Sequence, residues 1–129
     1  MIVLDTHIWL WWVNDDTNKL GSTRKEQIES SDIVAVSAIS CFEVAWLEHH
    51  GRVVLPLERT SWFERALAGS DITLVSITPQ IASIAVDLPE YHRDPQDRLI
   101  IATAIAQDAY LMSLDKQFSN YTELAGRLL

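Results

Sequence analysis

Short apolar runs alternate with amphipathic stretches along the whole chain, a pattern typical of an α/β domain. Brief apolar runs rich in β-branched residues predict strands at residues 2–4, 33–36, 72–77 and 111–114. Longer segments with helical spacing of apolar residues predict helices at residues 6–13, 22–30, 58–68, 79–87 and 99–109. Residues 52–57 are ambiguous. We therefore expect a central, mainly parallel sheet flanked by helices.

Capping residues define several helix starts. Asp94 followed by Pro95 is a cap with proline at the first helical position. Ser22 predicts the cap of a short charged helix, and Ser37 and Ser40 are alternative starts for a helix that runs to about residue 50. These signals place polar side chains at the ends of the predicted strands, where ligands bind in open parallel sheets.

Size and composition indicate an ordinary globular protein. The 129 residues suit one domain covering residues 1–129, and 48% of them are hydrophobic, which excludes a disordered chain. The single cysteine, Cys41, cannot form an internal disulfide, and no leader-like segment precedes the first predicted strand, so we expect a cytoplasmic protein. The longest uncharged apolar segment, residues 99–107, is far shorter than the roughly 20 residues that span a membrane. We expect no membrane anchor.

Five carboxylates lie beside or inside apolar stretches, where an uncompensated negative charge is costly. The first predicted strand is followed directly by Asp5, and the last by Asp115. Carboxylates gathered at the ends of neighbouring strands repel each other unless a cation lies among them. The pattern therefore predicts a divalent metal site. The five residues are Asp5, Glu43, Asp94, Asp97 and Asp115.

Each carboxylate also has a simpler structural interpretation. Asp5 suits the N-cap of the helix that follows it, Asp94 and Asp97 suit a capping box, and Asp115 suits a turn. Glu43 suits the first turn of a helix, although its apolar neighbours leave little room for a solvent-facing side. Capping explains any one of these residues more easily than it explains five of them at predicted strand and helix ends.

The chemistry of such a cluster follows from its oxygen ligands, which select Mg²⁺ or Mn²⁺. A metal-activated water could hydrolyse a phosphodiester bond. The hydroxyls of Thr6 and Ser113 either orient that water or cap the backbone. The Arg98 side chain is a partner for a carboxylate or for a phosphate.

Net charge alone argues against a nucleic-acid substrate. Ten basic and eighteen acidic residues give a formal charge of -8, which repels a polyanion at long range. Up to five of these negative charges belong to the predicted metal site, where a bound cation would offset them. The local charge of the site therefore says more about the substrate than the overall balance does.

Four blocks of the chain resemble PIN-domain proteins, most closely the VapC toxins of bacterial toxin–antitoxin pairs. The blocks are residues 1–7 (MIVLDTH), residues 37–43 with their Ser-Ala-Ile-Ser and Glu43, residues 94–104 (DPQDRLIIATA) and residues 113–118 (SLDKQF). The resemblance implies a three-layer PIN-like fold, Mg²⁺- or Mn²⁺-dependent endoribonuclease activity on RNA, homodimerisation, and inhibition by a VapB-like antitoxin. Residues 119–129 match no motif.

The resemblance also assigns roles to the carboxylates. By motif position, Asp5, Glu43, Asp97 and Asp115 would be the catalytic and metal-binding quartet. Asp94 would support the site or bind metal. Independently of the resemblance, the positions of Thr6 and Ser113 near the strand ends make them further supporting or metal-binding candidates.

Two other functions compete with the ribonuclease hypothesis. An aspartyl phosphotransferase would use Asp5 as nucleophile; its dehalogenase form expects an acid at the position of His7, and its receiver form leaves Glu43 unexplained. A catalytically silent interaction module would use the fold only for binding. The histidines His7, His49, His50 and His92 show no zinc-like spacing. Most of the five tryptophans suit a core or an interface, and Trp46, Trp62 and Phe63 could belong to a partner-binding surface.

Overall fold

The computed structural model describes residues 1–91 and 93–129, so His92 lies outside the described residues. Its centre is a parallel sheet of four strands in the order β3-β2-β1-β4. The predicted parallel sheet is confirmed. The strands are β1 (Ile2–Leu4), β2 (Val34–Ser37), β3 (Ile72–Val75) and β4 (Tyr110–Met112).

Seven α-helices occur in the part of the chain that the structure describes. They are α1 (Thr6–Val13), α2 (Thr17–Leu20), α3 (Ser22–Glu29), α4 (Ala38–His49), α5 (Arg59–Ala66), α6 (Pro79–Asp87) and α7 (Pro95–Ala106). Short 3₁₀ segments cover Ala68–Ser70, Lys116–Asn120 and Thr122–Leu124. None of these helices is long and apolar enough to cross a bilayer.

The strand order reverses beside β1. The chain adds β2 and β3 in sequence on one side of β1, and β4 then pairs with β1 on the other side. Ile2 is in register with Tyr110, and Leu4 with Met112, so β1 and β4 end at the same level. The crevice at such a reversal is the usual ligand site of an open α/β sheet.

The core lies in two layers, one on each face of the sheet. Along β1, Ile2 and Leu4 pack with Trp9 in one cluster, whereas Val3 packs with Ile100 in the other. This alternation is expected of a strand covered on both faces. The predicted flanking of the sheet by helices, and hence the three-layer arrangement, is confirmed.

Two tryptophans fix α1 against α5. The Trp9 indole nitrogen donates to the Ala66 carbonyl at 3.0 Å, and the Trp62 indole nitrogen donates to Asn14 Oδ1 at 2.9 Å. Their ring centroids lie 5.1 Å apart. Trp62 is fully buried, so its predicted place in a partner-binding surface is wrong. The indole contacts hold the helix that begins directly after Asp5.

Several boundaries differ from the predictions. Ser37 caps α4 and accepts from the Ile39 amide at 3.3 Å, but Gly21 rather than Ser22 occupies the N-cap of α3. The helix expected at residues 99–109 begins at Pro95 and ends at Ala106. Asp108, just beyond it, has a φ of 50°. A regular α-helix cannot continue through that left-handed conformation.

The C-terminal segment that matched no motif completes the sheet. The Leu111 amide donates to the Arg127 carbonyl at 2.8 Å, and the Leu129 amide donates to the Leu111 carbonyl at 2.9 Å. The segment therefore covers the free edge of β4, which removes unpaired backbone groups from solvent. Two of its side chains, Tyr121 and Leu124, are buried in the second core layer.

Candidate metal centre

All five predicted carboxylates line one cavity of about 390 Å³ at the carboxyl ends of β1 and β4. The structure thus brings together residues that lie up to 110 positions apart in the sequence. Four other side chains complete the walls. These are His7, Ile8, Trp11 and Leu114.

Asp5 follows β1 directly and lines the cavity. Its backbone amide donates to the Met112 carbonyl at 3.0 Å, which keeps Asp5 in line with β4. Its carboxylate caps α1 by accepting from the Thr6 amide at 2.6 Å. The second carboxylate oxygen accepts from the Ser113 hydroxyl at 2.7 Å. The capping interpretation of Asp5 is therefore correct, and the same residue also lines the cavity.

Glu43 is held by a buried hydroxyl from a different helix. Thr6 Oγ1 donates to Glu43 Oε1 at 2.7 Å and lies 2.9 Å from Ser40 Oγ. Thr6 and Ser40 are both fully buried. A hydroxyl has a single proton, so when Thr6 donates to Glu43, the contact with Ser40 needs a proton from Ser40. This chain of hydroxyls fixes the start of α1 against α4.

Asp94 and Asp97 enter the cavity from the start of α7. Asp94 caps this helix by accepting from the Gln96 amide at 2.9 Å. Asp97 lies in the first turn of the helix, one turn beyond the cap. A helix N-terminus favours negative charge, which lowers the cost of placing two carboxylates together.

Ser113 and Asp115 follow β4, and Asp115 lines the cavity. Besides donating to Asp5, the Ser113 hydroxyl accepts from the Asp115 amide at 3.0 Å. The Asp115 carboxylate accepts from the Gln117 amide at 2.9 Å, the turn contact expected from the sequence. Ser113 therefore connects the two strand ends through one hydroxyl, and both Thr6 and Ser113 contact carboxylates directly.

Burial raises the pKa of two carboxyl groups in this cavity. For Asp5, desolvation raises the pKa above its ordinary value of 3.8, and the hydrogen bonds from Ser113 and Thr6 oppose the rise. For Glu43, desolvation raises the pKa above 4.5, the bond from Thr6 opposes it, and the charges of Asp5 and Asp94 raise it further. The charge of each carboxylate therefore influences the pKa of its neighbours.

The donor set suits a hard divalent cation. Its oxygen-rich walls match the ligands of Mg²⁺ and Mn²⁺. A cation would offset both the desolvation and the weaker carboxylate repulsion that raise the pKa of Asp5 and Glu43. No lysine or arginine occurs among the described residues that line the cavity. Within residues 1–91 and 93–129, however, no group of three Asp, Glu, His or Cys side chains is arranged closely enough to hold an ion.

Arg98 makes structural contacts at the end of α6. Its guanidinium donates to the carbonyls of Val86, Leu88 and Pro89 at 3.1, 2.7 and 2.9 Å. These carbonyls lie where a helix leaves its last acceptors without internal partners. These three contacts are structural, and the role of Arg98 as a partner for a carboxylate or a phosphate stays a prediction.

Three residues of the site were not singled out by the sequence. His7 and Trp11 line the cavity, and Ser40 contacts Thr6 from α4. His7 and Trp11 are four residues apart on α1, so helical spacing from Asp5 could have placed them on the same side of the helix. Ser40 carried only an alternative capping interpretation, and its contact with Thr6 depends on tertiary packing.

The fold agrees with the comparisons with known proteins. The chain belongs to the PIN-domain family, which matches residues 2–124. Within this family it is of the VapC type, since it is 36% identical over 121 residues to Ribonuclease VapC22 of Mycobacterium tuberculosis. That alignment covers 93% of this chain and 91% of the relative. The predicted resemblance is confirmed.

Solved structures share the fold at lower identity. VapBC2 from Rickettsia felis, bound to a promoter DNA fragment, matches with a TM-score of 0.68 and 20% identity over 100% of this chain and 98% of the other. A toxin–antitoxin complex from Klebsiella pneumoniae matches with a TM-score of 0.65 and 22% identity over 100% and 96%. Both similarities support the α/β architecture described above.

Proposed function

We propose that this protein is a metal-dependent endoribonuclease and the toxin of a toxin–antitoxin pair, with residues 1–129 forming one PIN domain. The observation that carries the proposal is the convergence of five carboxylates on one cavity at the reversal between β1 and β4. The similarity to Ribonuclease VapC22 supports RNA as the substrate. An aspartyl phosphotransferase leaves most of these carboxylates without a role.

The quartet of Asp5, Glu43, Asp97 and Asp115 would hold Mg²⁺ or Mn²⁺. When bound, the ion would supply Lewis acidity toward a phosphodiester and a nucleophilic water at neutral pH. Because the quartet is not closed around one point, its side chains would move inward on binding. Asp94 would add negative charge at the rim.

The hydroxyls of Thr6 and Ser113 would set the starting positions of this quartet. Thr6 holds Glu43 toward α1, and Ser113 holds Asp5 toward β4. Outer contacts of this kind orient metal ligands and typically change metal affinity or activity by about 10- to 100-fold when they are lost. Both residues act here through the carboxylates that they contact.

The toxin role also implies partners. The similar structures from Rickettsia felis and Klebsiella pneumoniae are complexes with antitoxins, which supports a VapB-like antitoxin as the partner of this chain. An arginine from such a partner could enter the carboxylate cavity and neutralise it. We further infer a homodimer and a cytoplasmic location, the latter because the chain has one cysteine and thus no internal disulfide.

Cleavage of RNA by the purified protein, free of antitoxin, tests this function. The wild type should cleave RNA with Mg²⁺ or Mn²⁺ and lose activity in EDTA. Asp97→Asn should remove most of the activity, because it replaces a charged ligand without changing the size of the side chain. Asp71→Asn is a matched control: Asp71 is exposed, lies outside the cavity and has a φ of 55°, which asparagine tolerates.

Equal cleavage by the wild type and Asp97→Asn, or activity that survives EDTA, would reject the metal-dependent mechanism. Loss of activity in Asp71→Asn as well would show that the effect of Asp97→Asn is not specific to the cavity. Growth arrest on expression, relieved by the product of a small neighbouring gene, would test the toxin role separately.

A further inference from the structure

A second cavity of about 430 Å³ adjoins the carboxylate cavity. The two share His7 and Trp11, so these side chains form the wall between them. The second cavity extends from α1 past the start of α2 to the loop after α4. Its remaining lining residues are Leu10, Asn14, Asp16, Lys19, Arg52, Val53 and Val54.

The charges of the two cavities differ in sign. The first carries five carboxylates, whereas the second carries Lys19 and Arg52 against the single acid Asp16. Lys19 lies 3.9 Å from Asp16, and 64% of its side chain is exposed. An exposed pair at that distance is weak. Although the chain has a net charge of -8, two basic side chains lie directly beside the predicted metal site here.

Arg52 is available to an incoming anion. It is exposed, and within the described residues it makes no salt bridge. Its guanidinium carbon lies 5.3 Å from the centre of the Trp46 ring. A cation–π contact of this kind restrains the guanidinium while leaving its five N–H donors able to bind a phosphate.

Trp11 offers an aromatic surface at the boundary of the two cavities. Its side chain is half-buried, and its ring centroid lies 6.2 Å from that of His7 with the planes tilted by 56°. Proteins that bind single-stranded nucleic acid combine aromatic surfaces for bases with basic residues for the backbone. Trp11, Lys19 and Arg52 supply both components within one cavity.

We propose that this second cavity binds the nucleotide next to the scissile phosphate of a single-stranded RNA. Its base would stack against Trp11, and its phosphate would be bound by Lys19 and Arg52. The inference rests on the proposed ribonuclease function, since it places the cleaved bond in the adjoining carboxylate cavity. It also explains how an acidic protein can hold a polyanion, because basic side chains are placed directly beside the proposed metal-binding site.

Fluorescence anisotropy with a labelled single-stranded RNA pool tests the proposal in the Asp97→Asn background with Ca²⁺ present, with gels to verify that the RNA is intact. Trp11→Leu replaces the indole with an apolar residue that also favours helices. It should weaken RNA binding by about tenfold, because the stacking of a base on the indole is lost. Arg52→Gln should weaken binding and reduce the slope of log affinity against log salt by about 0.7, the value for one phosphate contact on a single strand. Lys19→Gln should act in the same direction.

Arg65→Gln is the matched control, because Arg65 is exposed on α5, lies outside both cavities and loses the same charge. Its effect on affinity and on the salt slope should be smaller than that of Arg52→Gln. Thermal unfolding should show that Trp11→Leu remains folded. If Trp11→Leu does not fold, the surface variants Arg52→Gln and Lys19→Gln still test the proposal.

Failure of this subsite can be distinguished from failure of the ribonuclease function, because binding is measured without cleavage. The subsite would be overturned if Arg52→Gln and Lys19→Gln left the RNA affinity unchanged, or if the Asp97→Asn protein itself did not bind RNA. Either result would hold whether or not the wild type cleaves RNA. If the variants bind RNA normally but release a copurifying antitoxin, the cavity belongs to the protein partner and the proposal is also overturned. A wild type that binds RNA through Arg52 and cleaves none would contradict only the ribonuclease function.

Discussion

Thr6 Oγ1 lies 2.7 Å from Glu43 Oε1, and this contact joins the first residue of α1 to the middle of α4. Thr6 is fully buried, so loss of its hydroxyl removes a hydrogen-bond partner from both Glu43 and Ser40. Thr6→Val should lower the free energy of unfolding by about 1–3 kcal/mol. It should also reduce RNA cleavage by about tenfold or more, since Glu43 loses its orientation.

Thr103 provides the control for this substitution. It is also a fully buried threonine, but its hydroxyl donates to the Leu99 carbonyl within α7 at 2.7 Å. Thr103→Val should lower stability without lowering cleavage by the folded protein. Urea unfolding and cleavage rates measured on both variants check this prediction. Equal cleavage by Thr6→Val and the wild type would show that the Thr6 hydroxyl serves only stability.

Divalent metal should stabilise the folded protein through the same carboxylates. A ligand that binds only the folded state raises the free energy of unfolding by about 2.7 kcal/mol at 100 times its dissociation constant. Thermal unfolding of the wild type should therefore shift upward with Mg²⁺ or Mn²⁺, and Asp5→Asn should lose most of this shift. Asp71→Asn should retain it. An identical shift in Asp5→Asn would place the stabilising ion elsewhere.

The raised pKa values of Asp5 and Glu43 predict how stability depends on pH in the absence of metal. Because burial raises both values above 3.8 and 4.5, the folded state holds more protons than the unfolded state between the ordinary and the raised pKa. Stability from these groups is therefore complete below the ordinary pKa values and is lost as pH rises through the raised ones.

Urea unfolding in EDTA across mildly acidic to neutral pH measures this effect. The wild type should lose stability relative to the double variant Asp5→Asn with Glu43→Gln as pH rises, because the amides do not ionise. Added Mg²⁺ should reduce the difference, since it favours the ionised carboxylates. Parallel pH profiles of the two proteins in EDTA would contradict the assignment of raised pKa values.

Arg98 should contribute to stability through the end of α6. Its planar guanidinium donates to three carbonyls, and lysine cannot reproduce that arrangement. Arg98→Lys should therefore lower the free energy of unfolding by about 1–3 kcal/mol. The RNA affinity of the folded variant should remain unchanged.

Arg93→Lys is the comparison for Arg98→Lys. Arg93 is exposed, and together with Arg98 it lines a groove between α6 and the start of α7. Urea denaturation should show a smaller loss of unfolding free energy for Arg93→Lys than for Arg98→Lys. A loss of RNA affinity in Arg98→Lys, without a loss of stability, would instead favour a bidentate phosphate contact.

The residues predicted from sequence are those with local signals. The apolar run before Asp5 and the Asp94-Pro95 pair each specify an element and its boundary within a few positions, because strand burial and helix capping depend on near neighbours. The sequence thus located four carboxylates at element ends. The first-turn position predicted for Glu43 is wrong, because α4 begins at Ala38 and Glu43 lies in its middle. The metal-binding and catalytic roles of the carboxylates stay predictions.

Features that depend on distant contacts were not predictable in the same way. Ser40 contacts Thr6 across 34 positions, and the pairing of Leu111 with residues near the C-terminus follows from the place of β4 at a sheet edge. The cavity beside Trp11 is assembled from two helices and a loop whose packing no local pattern specifies. Buried Trp62 likewise shows that an apolar helical face does not reveal what covers it.

A manganese titration that follows bound Mn²⁺ by electron paramagnetic resonance and RNA cleavage in the same samples tests the central claim most directly. In the wild type, cleavage should rise together with bound Mn²⁺, and Asp5→Asn should lose both, whereas Asp71→Asn should retain both. Full cleavage by metal-free protein, or Mn²⁺ binding that is unchanged in Asp5→Asn, would contradict the assignment of the carboxylate cavity as a catalytic metal centre.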